Sequence, residues 1–150
     1  MKQLSLAVSL IIAGTVASAG TTSVLLDPYL VESMSAAEYA EVVRNAPDVN
    51  VLNNYRYSPL HFAAMSGAFA KVATLLDAGA DINTRDKSGA TPLHYAAMYW
   101  PPSMIVALLE AGASGSVKDK GGNTPFDYAE KNAKVRGTAA YWALNEAQYK

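Results

Sequence analysis

The apolar positions come in short blocks that return at a fixed interval. Leu60, Ala63 and Ala64 form one block, Leu93, Ala96 and Ala97 repeat it 33 positions later, and Phe126 and Ala129 are a worn copy 33 positions after that. A second set, Leu75-Leu76 and Leu108-Leu109, keeps the same interval and extends back to Val42-Val43 and forward to Tyr141-Trp142. Within a block the apolar residues fall at helical spacing on one face. Each interval therefore predicts two short helices, one carrying alanines that let neighbours approach closely and one carrying leucines. Units of this size cannot bury their apolar faces alone, so they stack.

The polar residues between the blocks supply starts and stops. Asp86-Lys87-Ser88-Gly89 has turn chemistry, with Gly89 free to take positive φ at the tip of a hairpin-like finger. Thr91 caps the next helix and Pro92 takes its first position, where the missing N–H does no harm. Gly112 suits the left-handed conformation that ends the second helix. Arg56 stands where Gly89 and Gly122 stand, so the first finger has to accept a strained φ or change shape. In the second unit Trp100 replaces the glycine at position 67 between the helices. The third has Asp127 in place of histidine, Glu130 in place of the second alanine, and a final helix at roughly 138–148. Upstream, Asp27-Pro28 opens a helix and Ser35 with Glu38 has capping-box spacing for a second, running to about Asn45. Residues 27–50 thus read as a degenerate unit closing the N-terminal end, preceded by an extended lead-in at 21–26.

The repeated motif is Ser58-Pro59-Leu60-His61-Phe62-Ala63-Ala64, then Thr91-Pro92-Leu93-His94-Tyr95-Ala96-Ala97, then Thr124-Pro125-Phe126-Asp127-Tyr128-Ala129. It resembles the ankyrin repeat, whose signature is Thr-Pro-Leu-His-x-Ala on a period of about 33 residues. The resemblance implies an all-α solenoid of paired antiparallel helices with β-hairpin-like turns. It divides the chain into a lead-in and degenerate capping repeat at 20–50, repeats at 51–85 and 86–118, and a degenerate C-terminal capping repeat at 119–150. It also implies that His61 and His94 make structural hydrogen bonds between neighbouring repeats.

Composition narrows the class. With 51% hydrophobic residues and a net charge of −1, the chain has the apolar content for a core and lacks the basic excess of a nucleic-acid binder. It has no cysteine, which removes disulfides, thiol catalysis and thiolate metal sites. No His or carboxylate cluster has metal-ligand spacing, and nothing calls for a cofactor. Residues 1–19 read as an export signal: Lys2 gives the positive end, Leu4–Val16 a mostly apolar run too short to span a bilayer, and Ala17-Ser18-Ala19 a small-residue cleavage site before Gly20. A periplasmic location is the expectation, with secretion beyond the cell as the alternative.

The resemblance further implies that the finger tips and first helices present a concave binding surface. Carried onto this chain, it nominates Tyr55, Tyr57, Met65, Arg85, Lys87, Met98, Tyr99, Trp100, Lys118 and Lys120 as partner-binding residues. The aromatic and methionine members are residue types enriched at interface hot spots, although Met65 and Met98 suit packing against the next repeat equally well. Arg56, Arg85, Lys87, Lys118 and Lys120 form a basic stripe along the fingers, whereas residues 20–50 carry Asp27, Glu32, Glu38, Glu41 and Asp48 against Arg44 alone. Such an edge would steer a protein partner with an acidic surface. The expected protein is a monomeric, non-catalytic interaction module with no membrane span once the signal is removed. Similar small exported bacterial ankyrin proteins have protective roles, including immunity to secreted toxins. The alternatives are an effector acting on host proteins and a hydrolase using His61 or His94.

Overall fold

The computed structural model describes residues 24–99 and 101–150. Eight helices lie wholly among them: α1 (Pro28–Ser33), α2 (Ala36–Arg44), α3 (Pro59–Met65), α4 (Phe69–Asp77), α5 (Pro92–Tyr99), α6 (Pro102–Glu110), α7 (Pro125–Ala129) and α8 (Ala139–Ala147). No strand occurs among the described residues. The starts arise from local chemistry. Asp27 accepts from the N–H groups of Tyr29 (2.9 Å) and Leu30 (3.1 Å), two of the donors that the first turn of α1 leaves without a helical partner. Ser35 and Glu38 form a reciprocal capping box on α2. Prolines open α3, α5, α6 and α7. The ends of α4 and α6 are closed by the same pair of bonds: Ala80 N–H to Leu75 O and Gly79 N–H to Leu76 O, then Ala113 to Leu108 and Gly112 to Leu109. That is the Schellman pattern, and it needs the left-handed φ of +87° and +95° that the two glycines supply.

The first helices α1, α3, α5 and α7 form one row, each packed on the next, while α2 packs on α4 and α6 on α8. Within a unit α3 pairs with α4, α5 with α6 and α7 with α8. A continuous core runs between the rows: Tyr39, Val42, Leu60, Leu75, Leu93, Ile105, Leu108 and Leu144 are all fully buried. Each large side chain removed from water there stabilises by about 1.5–3 kcal/mol. Ala63, Ala96 and Ala97 are also fully buried, which is what lets adjacent first helices come close. Two expectations are corrected. Val24 and Leu25 are helical and buried in the core instead of forming an extended lead-in, because their side chains are apolar enough to be taken up by the first unit. In α6, Met104 takes a fully buried place while Leu109 is only half-buried.

One buried charge ties the first unit to the second. Lys71, in the first turn of α4, is only 6% exposed, and its Nζ donates to Val31 O and lies 3.5 Å from Glu32 O. These are carbonyls of the last turn of α1, which the helix itself leaves without partners. The ammonium also sits 5.6 Å from the centre of the Tyr39 ring. Burial lowers the Lys71 pKa, with Glu32 and Glu38 opposing that shift.

The fingers stand between the helix pairs. Each is closed at its base by one bond: Asn53 N–H to Tyr57 O (3.0 Å), Asp86 N–H to Ala90 O (3.0 Å) and Asp119 N–H to Asn123 O (2.9 Å). Successive fingers are joined by Lys87 N–H to Tyr55 O (2.9 Å) and Lys120 N–H to Ser88 O (2.8 Å). At the tips Gly89 and Gly122 have φ of +81° and +82°, and Arg56 takes φ of +64°. The arginine thus accepts the strained conformation and the turn keeps its form. A left-handed non-glycine residue costs roughly 1–2 kcal/mol, offset in part by the entropy a glycine would lose on folding. Arg56→Gly is therefore expected to raise unfolding stability by about 0.5–1 kcal/mol, read as a higher midpoint in urea; a lower midpoint would show that the side chain itself supports the fold.

Candidate functional site

The repeat histidines hold the fingers that carry the surface residues. His61 and His94 are both fully buried. Nδ1 of His61 faces the Ser58 N–H at 3.1 Å and the Ser58 hydroxyl at 2.9 Å; Nδ1 of His94 faces the same groups of Thr91 at 3.0 and 2.9 Å. A backbone N–H can only donate, so Nδ1 accepts and the ring proton is on Nε2. Nε2 then donates to a carbonyl at the base of the next finger, Ala90 O for His61 and Asn123 O for His94, both at 3.2 Å. Neither ring nitrogen is left for a substrate. Burial lowers both histidine pKa values, which keeps the rings neutral. Asp127 reproduces the local half of this arrangement, accepting from Thr124 N–H (2.6 Å) and the Thr124 hydroxyl (2.8 Å), but a carboxylate has no proton to pass on.

A second set of contacts fixes the fingers. Tyr95 O–H donates to Asp86 Oδ2 (2.6 Å) and Tyr128 O–H to Asp119 Oδ2 (2.5 Å). Asp86 also accepts from Ser88 Oγ (2.7 Å) and Ala90 N–H (2.9 Å). Burial alone would raise the Asp86 pKa, but these donors outweigh it and hold the carboxyl below its usual range; Asp119 is held low in the same way. The Tyr128 pKa is pushed up to about 12, chiefly because its O–H donates to Asp119. In the first unit the pair is Asn53 and Phe62, with neither charge nor hydroxyl. There Tyr57 does the work from another direction: its O–H meets Tyr95 O–H at 3.1 Å, and since Tyr95 gives its proton to Asp86, Tyr57 is the donor.

This chain of bonds aligns a row of rings. Tyr55 lies 6.4 Å from Tyr57, Tyr57 5.9 Å from Tyr95, and Tyr95 6.4 Å from Tyr99, the last two stacked at 17°. The ends of the row are open to solvent: Tyr55 is 66% and Tyr99 54% exposed, while Tyr95 is buried and Tyr57 half-buried. Lys87 Nζ stands 5.9 Å from the Tyr55 ring centre, close enough for a cation–π contact. The structure thus brings together Tyr55, Tyr57, Lys87 and Tyr99 of the expected set. Met65 and Met98 are half-buried on α3 and α5. Lys118 and Lys120 are exposed on the third finger, and Arg85 is exposed with its Nη2 bonded to Lys118 O (2.7 Å). Trp100 lies outside the described residues.

Tyr95 is the member that sequence reasoning missed. Its signal was present: an aspartate precedes a tyrosine by nine positions at 86/95 and again at 119/128, and both partners change together to Asn53 and Phe62. Among the described residues no group of three or more His, Asp or Glu could hold a metal ion, and no helix is long and apolar enough to cross a membrane.

Stacked helix pairs, finger turns and histidines bridging from one unit to the next define a repeat architecture, and a family model described as ankyrin repeats (3 copies) matches residues 16–119 and again 60–139. The chain belongs to the ankyrin-repeat family. No curated protein matches it. Ankyrin repeats are protein-interaction modules, typically non-enzymatic, and the scaffold here is an all-α solenoid of that kind.

Two outcomes are expected of this ankyrin stack. Tyr95→Phe alone should lose about 1–2 kcal/mol, since it strands a buried carboxylate oxygen. Pairing it with Asp86→Asn recreates the Asn53/Phe62 combination, so the double variant should lose less than the sum of the two single losses; strict additivity in a denaturant cycle would show that the pair does not interact. Acidification should also weaken the fold. The histidines bind protons more readily when unfolded, at about pH 6.5, so their contribution is complete above that value and falls away as pH drops below it. The depressed carboxyls of Asp86, Asp119 and Asp127 add a further loss below about pH 4. Urea midpoints that stay level between pH 7 and pH 5 (the interval of the histidine loss) would contradict the histidine assignment.

Proposed function

We propose that this ankyrin-repeat protein is exported, and that it binds and modulates a protein partner through the face carrying Tyr55, Lys87 and Tyr99, in a protective role in the cell envelope such as immunity to a toxin. The observation that carries the binding reading is the exposed ends of the tyrosine row. Two large rings, 66% and 54% exposed, stand against Tyr57 and Tyr95, whose hydroxyls are fixed by hydrogen bonds to each other and to Asp86. Tyrosine on a fixed scaffold gives contact area at low entropic cost and is enriched at binding hot spots. Export is supported by the order of Lys2, the apolar Leu4–Val16 run and Ala17-Ser18-Ala19. The protective context is the one that the resemblance to small exported bacterial ankyrin proteins favours over a host-directed effector.

Tyr57 is half-buried and bonded to Tyr95, so replacing it would disturb the stack as well as the surface. Tyr55 and Tyr99 are the cleaner probes. The Tyr55→Ala/Tyr99→Ala double variant should keep the wild-type melting temperature within a few degrees and lose capture of the partner from an envelope fraction, by about tenfold or more in affinity once the partner is purified. Capture retained at full strength by the folded double variant would move the interface off this face. A captured partner that is a toxin whose activity the protein suppresses would establish the immunity role.

A further inference from the structure

A pocket of ≈ 550 Å³ opens between the first and second fingers, lined by residues of the segment 50–52, the finger-tip Arg56 and residues of the segment 81–85. None of the tyrosines of the row lines it, so it is a second surface. Its walls are fixed by bonds between units. Asn50 accepts from Asp81 N–H (2.7 Å) and donates to Gly79 O (3.2 Å), and Asn83 accepts from Ser114 N–H (2.9 Å). Two arginines, Arg56 and Arg85, are among its lining residues. Arg85 is anchored through Nη2 to Lys118 O, and that nitrogen also lies so near Gly89 that a Cβ there would sit 2.9 Å from it. The Arg56 side chain makes no hydrogen bond or ion pair among the described residues. Asp81 is the one carboxylate in the lining, and it accepts from Asn83 N–H at 2.9 Å without pairing either arginine. Two positive charges against one negative leave the pocket net positive.

The backbone of Arg56 gives the second, independent observation. It holds a φ of +64° at a position where the next two units have glycine. The turn does not need a side chain there, and a strained residue that the turn does not explain points to use of the side chain itself. We infer that the pocket receives carboxylate side chains from an acidic segment of a protein partner, with Arg56 supplying the two-pronged contact and Arg85 the fixed second charge. The planar guanidinium suits a carboxylate in this way. The volume lies in the range of roughly 300–1,000 Å³ common to binding pockets. A nucleic acid is the poorer match, since Asp81 stands in the lining and the chain carries a net charge of −1. The inference rests on the reading that the partner is a protein, and adds to it a chemical preference.

The test uses the ¹⁵N-labelled full chain titrated with an end-blocked peptide of alternating glutamate and glycine, followed by amide shifts. A glutamine–glycine peptide and an oligothymidylate serve as comparisons. The expected result is saturable shifts confined to residues 50–56 and 81–85 with the glutamate peptide, absent with the glutamine peptide, and at least about tenfold weaker binding in Arg56→Gly and Arg56→Gln. Arg56→Gly is the decisive variant because it is expected to relieve strain, and its melting curve, recorded alongside, separates a loss of binding from a loss of folding. Shifts that are equal for both peptides, that survive Arg56→Gly, or that appear elsewhere would overturn the inference, as would tighter binding of the oligothymidylate. Failure here leaves the tyrosine face standing, whereas loss of partner capture through Tyr55 and Tyr99 is read without this titration.

Discussion

Everything in this stack depends on one side chain doing two jobs. The histidine of the motif accepts through Nδ1 from the residue that caps its own helix, and donates through Nε2 to the base of the next finger. The first bond sets the ring's tautomer, and the tautomer makes the second bond possible. Local helix capping and the joining of units are therefore one event. Full burial is what makes it dependable, because a neutral ring in an apolar setting has no water to turn to and no reason to take a second proton.

The fingers are held by a second device laid over the first. An aspartate at the finger base gathers donors from its own turn and from a tyrosine on the succeeding helix, and where the aspartate becomes Asn53 the tyrosine becomes Phe62. Tyr57 reaches across to Tyr95 and so draws the first finger into the network of the second. The rings that end up in solvent, Tyr55 and Tyr99, flank the two that are fixed by hydrogen bonds. The proposed binding surface is thus carried on groups set beside the core, an arrangement that would keep the entropy lost on binding small.

Much of the architecture was legible in the sequence because it rests on local chemistry repeated at a constant interval. Asp27, Ser35 with Glu38, and Ser58 open helices as their residue types demand, and Gly112 closes one. What was not legible depends on contacts between elements rather than within one helix. Lys71 looks like a surface residue at the start of a helix, and only the position of α1 makes it a buried cap. Tyr95 looks like a variable position inside a motif until the aspartate nine residues earlier is brought beside it. Leu109 is half-buried and Met104 fully buried on α6, a difference that the apolar pattern alone does not specify. A one-dimensional pattern specifies faces, and three-dimensional packing chooses among their edges.

Asp127 gives the stack a chemical direction. Units that carry histidine offer a proton forward, so a duplicated copy placed before such a unit arrives with its own link to the neighbour ahead of it. A copy inserted after Asp127 would meet an acceptor where it needs a donor, and the join would have to await a further change at that position. The side chain that decides whether a unit can reach forward is thus the one that holds a proton: His61 and His94 do, and Asp127 does not.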